Sequence, residues 1–170
     1  MTRTSVRALA IAQPAVRILS VVNIVYGAIL TGLLVLSFLI PDWPWKPMGF
    51  DMVNAHPLLG HGLRAIVVIG IVGAMVVHSI LERLLAIIET VRVGDPFIRA
   101  NAERLDAMAW RVAGLEVLRV GVAGIAAVVW QAGQISAFSF APWLAVLLLF
   151  VLAGVFAQGE RMRADLEGTV

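Results

Sequence analysis

The chain has 170 residues, of which 61% are hydrophobic and only 14% charged, with a net charge of +2 and no cysteine. Its mean hydropathy is +0.94 and its pI about 9.9. A soluble domain of this size cannot bury so much apolar surface, whereas a lipid bilayer can. The small net charge, with basic residues set beside apolar runs, excludes a nucleic-acid-binding face, so no direct nucleic-acid partner is expected. The absence of cysteine excludes disulfides, thiolate metal sites and thiol nucleophiles.

Crossing the hydrocarbon core takes about 20 residues of helix. The first candidate span is 18–40, preceded by Arg3, Arg7 and Arg17 and ended by Pro41. It is longer than a signal-peptide core and no small-x-small cleavage site follows, so it reads as a retained span. The outer loop, 41–62, holds four prolines and Trp43 and Trp45, an irregular segment with interfacial aromatics. The second span is 63–81, stopped by Glu82 and Arg83.

The segment 82–111 reads as a helical hairpin. Leu81, Leu84, Leu85, Ile88 and Val91 continue the second span as one helix to Val93. Gly94 is then expected as C-cap, Asp95 as N-cap and Pro96 as the first helical position. The stripe Ile98, Ala102, Leu105, Ala109 and Val112 leads into a third span, 112–130. Such a hairpin would extend about 15–20 Å beyond the membrane. Arg99 with Glu103 and Glu89 with Arg92 are spaced to pair along the helix. A self-paired solvated stem and a partner-docking surface both fit this pattern. The fourth span, 138–158, follows a tight connection at 131–137 and ends at Gly159, Glu160 and Arg161, leaving a tail at 159–170.

Together these make an all-α, integral membrane four-helix bundle, a single domain over 1–170. Ten Lys and Arg residues fall on the side of the termini and hairpin, and only Lys46 and Arg64 on the other. That imbalance places both termini in the cytoplasm and the chain in the cell membrane as a multi-pass protein. Small residues four apart, such as Ala28 and Gly32, Gly70 and Ala74, and Ala153 and Ala157, suit close helix packing. They leave homo-oligomerisation open without identifying a dimer face.

Glu116 and Arg119 are charges inside a span, costly in lipid unless paired. At three-residue spacing they share a helix face, about 7 and 12 Å from Arg111. Asn23 and Tyr26 fall about 9 and 13 Å above Arg17, and His78 about 6 Å from Glu82. All five polar groups therefore lie in the cytoplasmic half of the bilayer. A structural ion pair accounts for Glu116 and Arg119, and a cytoplasm-facing polar pocket accounts for the five together. His78 has no second histidine at matching depth for a b-type haem, and His56 and His61 in the outer loop lack further ligands for a metal. No catalytic triad, carboxylate pair or phosphate loop can be assembled, so no enzymatic activity, cofactor or metal is expected.

The stretch TVRVGDPFIRANAERLDAMAW (Thr90–Trp110) and the ending VFAQGERMRADLEGTV (Val155–Val170) resemble, in that order, the bacterial membrane proteins of domain-of-unknown-function family 2975 (DUF2975). The shared features are a Gly-Asp-Pro-Phe turn followed by Asn-Ala and Arg-Leu, and a Val-Phe and Gly before an ending on Thr-Val. The family's acidic-Asn run is here Asp165-Leu166-Glu167-Gly168. The resemblance implies four spans, no enzymatic activity and a neighbouring Cro-like helix-turn-helix regulator as a cytoplasmic partner. The residues expected to meet that partner are Gly94, Asp95, Pro96, Phe97, Asn101, Arg104 and Leu105 of the hairpin, together with the tail Glu160–Val170. The runner-up function is a small transporter or channel subunit using the cluster Asn23, Tyr26, His78, Glu116 and Arg119.

Overall fold

Long aliphatic runs without a second strand to pair with satisfy their backbone only as helix, and four helices carry the fold. These are α1 (Arg3–Leu39), α2 (Pro57–Val93), α3 (Arg99–Trp130) and α4 (Phe140–Glu167). A computed structural model describes residues 3–40, 46, 57–130 and 139–167, and among these there is no strand. Among the described residues, three stretches are long and apolar enough to cross a membrane: Ile11–Leu39, Leu59–Val93 and Phe140–Asp165. α3, which carries Arg111, Glu116 and Arg119, is not one of the three.

Several helix ends differ from the expected bounds, and α1 already runs from Arg3, through Pro14, ahead of the span expected at 18–40. α2 starts at Pro57, inside the loop expected at 41–62, because proline is well accommodated in a first helical turn. Its far end closes as predicted. Gly94 takes φ 93°, its N–H reaches Val91 O at 3.2 Å, and the Asp95 N–H reaches Thr90 O at 3.0 Å. This is the paired bonding of a Schellman cap, which needs the left-handed conformation that glycine adopts without strain.

α3 does not begin at Asp95 and Pro96 but at Arg99. The Asp95 carboxylate is taken by Arg163 of α4 and does not cap α3. The Pro96 carbonyl accepts a bond from the Asn101 side chain. α4 does not stop at Gly159 but runs on to Glu167. Glycine inside a helix costs about 1 kcal/mol relative to alanine, yet here the space of its missing side chain is filled by the Phe97 ring. Consequently the hairpin is not a free-standing stem, since α4 lies beside it to its tip. Trp43, Trp45, His56 and the connection at 131–137 lie outside the described residues.

The chain groups into two compact units, to each of which α1, α2 and α3 contribute. One unit comprises Met1–Val21, Val77–Gly114 and Phe140–Val170. Its first core joins Ile87, Leu105, Met108 and Ala153, with Leu84, Val91 and Phe156 packed against it. Its second joins Val16, Leu81 and Ile88, with Ala12, Val77 and Leu85 around it. The stripes read from periodicity thus face inward: Ala102, Leu105 and Ala109 are buried, Ala109 fully.

The other unit comprises Val22–Val76 and Leu115–Ser139. Here α1 and α2 approach closely at small residues. A side chain begun on Gly27 would stand 3.5 Å from Ala74 Cβ, and one begun on Gly70 would stand 2.9 Å from Leu30 Cδ1. Arg64 donates to Ser37 O at 2.7 Å, at the carbonyl end of α1, with its guanidinium 4.4 Å from the Phe38 ring centre. A cation at a helix C-terminus and over an aromatic face is stabilised on both counts.

Candidate functional site

The α2–α3 turn concentrates polar chemistry. Asn101 is fully buried, and each of its polar atoms is used. Its Nδ2 donates to Thr90 Oγ1 at 2.6 Å and to Pro96 O at 2.9 Å, while its Oδ1 accepts from Arg104 at 2.7 Å. The Thr90 hydroxyl donates to Ile87 O at 2.8 Å, which leaves its oxygen free to accept from Asn101. A buried amide is tolerated only when it is satisfied in this way.

These contacts revise the partner face expected from sequence. Asn101 and Leu105 are interior, at 0% and 8% exposure, and a partner cannot touch them directly. Phe97 packs its ring 5.1 Å from that of Phe156 and across Gly159. Asp95 pairs with Arg163, and Arg104 bonds to Asn101. With Gly94 and Pro96, the seven residues do come together, but as a clamp that fixes the turn. Thr90, Phe156 and Gly159, which went unassigned by the sequence reading, complete it with Arg163 of the tail.

The outward surfaces of the same unit are formed by Arg104 together with residues outside the seven. Between α2 and α3 an open cleft of about 450 Å³ is lined by Ala86, Ala100 and Ala107 and edged by Glu82, Arg83, Glu103 and Arg104. Between α3 and α4 lies a larger groove of about 640 Å³. Both expected helix-face pairs are formed, Arg99 with Glu103 at 3.0 Å and Arg92 with Glu89 at 3.3 Å. Each is solvent-exposed and contributes little to stability.

Of the five polar residues expected within the membrane, Asn23, His78, Glu116 and Arg119 have local partners. His78 shares a hydrogen bond with Ser20 Oγ at 3.3 Å and approaches Glu82 at 3.5 Å, all within the unit that contains the turn. In the other unit Asn23 donates to the Ala74 carbonyl at 2.9 Å, a reach made short by the Gly27–Ala74 approach. Tyr26, on the same helix, is about half exposed. Glu116 is 7% exposed and accepts from Arg119 Nε at 2.8 Å. The expected ion pair is therefore formed, with its carboxylate buried and its guanidinium partly exposed. Among the described residues no three His, Cys, Asp or Glu side chains gather as a metal site would require.

Comparison with known proteins returned no match to any protein-family model, curated protein or solved structure.

Proposed function

We propose that the chain is a non-enzymatic multi-pass protein of the cell membrane, with four spans and cytoplasmic termini, that binds a cytoplasmic protein through its α2–α3 hairpin. A helix-turn-helix regulator is the partner that the resemblance to the DUF2975 family favours. The carrying observation is the open α2–α3 cleft, with an alanine floor and edges of both charges, beside a turn held by the buried Asn101. A rigid, small-residue floor accepts a partner side chain without first paying to order itself. The charged edges supply orientation and steering. The Lys and Arg imbalance supports cytoplasmic exposure of this segment. Charges in α3 that are paired with each other support its membrane crossing despite Glu116 and Arg119. The local partners of His78, Asn23 and Glu116 weigh against the transporter reading, which would draw on polar groups free to meet a solute.

The experiment is a pull-down of the neighbouring regulator by full-length protein in detergent, with parent and an Arg83→Glu, Ala107→Trp variant compared. The variant fills and reverses the cleft while leaving Asn101 and its partners in place. Recovery by the parent and loss in an equally stable variant is expected. Equal recovery, or none by either, refutes the proposal.

A further inference from the structure

α3 keeps a single heptad register along its length. With Gly114 at position a, every buried residue of α3 among those described, from Asn101 to Ala126, falls at b, c or f. Every exposed one, from Arg99 to Ala127, falls at a, d or g. A heptad repeat sustained in this way is the pattern by which one helix packs along another. The chain itself uses only the b, c and f side.

The unused side is lined by small residues. Ala107, which also lines the α2–α3 cleft, is followed at a and d by Trp110 and Gly114. The register continues along the helix through Val117, Gly121 and Gly124. Trp110 and Val117 are each 66% exposed. A Cβ begun on Gly114, Gly121 or Gly124 would meet nothing within 4 Å, whereas one on Gly27, Gly70 or Gly159 would meet a neighbour. Glycine inside a helix is unfavourable relative to alanine, and no contact within the chain calls for these three. Close approach of a second backbone does call for them.

The charges beside the seam complement those of a second copy. Asp106 stands at g and Arg111 at the following e, the positions that pair across a parallel two-stranded coil. Neither belongs to an ion pair among the described residues. Arg111 bonds only to Ala107 O of its own helix, at 2.8 Å. One heptad nearer the turn, Arg99 and Arg104 hold the same two positions and repel across the axis. Both are engaged within the chain, Arg99 with Glu103 and Arg104 with Asn101. The close contact therefore starts at Ala107 and leaves the turn apart.

We propose that a second copy of this chain docks on α3, parallel to the first, along the seam Ala107, Trp110, Gly114, Val117, Gly121 and Gly124. Asp106 of each copy pairs with Arg111 of the other. The proposal rests on the membrane reading, which orients both copies alike, and not on the cytoplasmic partner. Lipid covers an apolar face without needing glycine there, so it does not account for the seam.

The chain has no cysteine, so single introduced cysteines report position cleanly. Full-length Val117→Cys or Gly121→Cys, oxidised in isolated membranes, should form a disulfide-linked dimer, since a and d residues face their counterparts across the axis. Leu147→Cys, on the exposed side of α4, should not. Adding Gly114→Leu should cut the Val117→Cys dimer about tenfold by holding the backbones apart. The detergent-solubilised monomer should keep its melting temperature, because the chain leaves that place open. Asp106→Arg and Arg111→Asp should each weaken the dimer about tenfold, and the two together should restore it. Equal crosslinking at Leu147, no effect of Gly114→Leu, or no recovery in the double charge swap would overturn the proposal. So would a Val117→Cys product whose mass is not twice that of the chain, which would assign the face to another protein. Absence of the parent chain from the membrane fraction would overturn the membrane reading and this one together. A membrane-bound chain that crosslinks only elsewhere overturns this one alone.

Discussion

The Phe97 ring occupies the place where Gly159 would carry a side chain: a Cβ on Gly159 would come within 2.7 Å of Phe97 Cδ1 and within 3.3 Å of two further ring atoms. This contact ties the hairpin tip to α4 across sixty-odd residues of sequence. It explains why a glycine that reads as a helix stop stands within a helix that continues.

Gly159→Ala should destabilise the protein by about 1–3 kcal/mol, because the ring must leave its place against Phe156. The better helix propensity of alanine offsets up to about 1 kcal/mol of that. In a Phe97→Ala background the same change should be neutral or stabilising, since the clash is gone. Thermal unfolding of the four proteins in one detergent measures the coupling, and an unaltered cost in the Phe97→Ala background would refute the contact.

Asn101→Ala should cost roughly 1–3 kcal/mol by leaving the part-buried Pro96 O and Thr90 Oγ1 without the amide donor. Asn101→Asp should cost more, despite being nearly isosteric, because it sets a carboxylate oxygen against two acceptors. Arg104 remains able to pair with the other oxygen. Finding Asp milder than Ala would show that the side-chain amide is oriented the other way round.

Glu116 and Arg119 should behave as one group. Glu116→Gln and Arg119→Gln should each lower stability by roughly 1–3 kcal/mol, less than a fully buried pair because the Arg119 side chain is 37% exposed. The double change should recover most of the loss. Denaturation of the two single variants and the double in the same detergent gives the coupling energy directly. Single variants as stable as the parent would mean the pair is not coupled.

A reporter that fluoresces only in the cytoplasm should be bright when fused at Val170 and dark when inserted at Ile135. The expectation follows from ten basic residues on one side against two on the other. The reverse pattern, or equal signal, would exclude four spans in this orientation.

Much of the helical architecture was legible along the chain because its causes are local. Apolar runs of sufficient length mark α1, α2 and α4, and a glycine after Val93 supplies the left-handed cap that ends α2. The inward stripe through Ala102, Leu105 and Ala109 and the pairing of Glu116 with Arg119 follow from helical periodicity, which places those side chains on common faces. The start of α3 and the end of α4 were not legible. Asp95 has the chemistry of an N-cap and Gly159 that of a terminator, and each is redirected by a partner far away in sequence, Arg163 and Phe97. The same holds for the site: Asn101 is expected as a partner-contact residue, and only the approach of Thr90 and Pro96 makes it an interior one. Spacing within a helix specifies which side chains share a face, but the level at which two helices meet is set by the packing of their side chains.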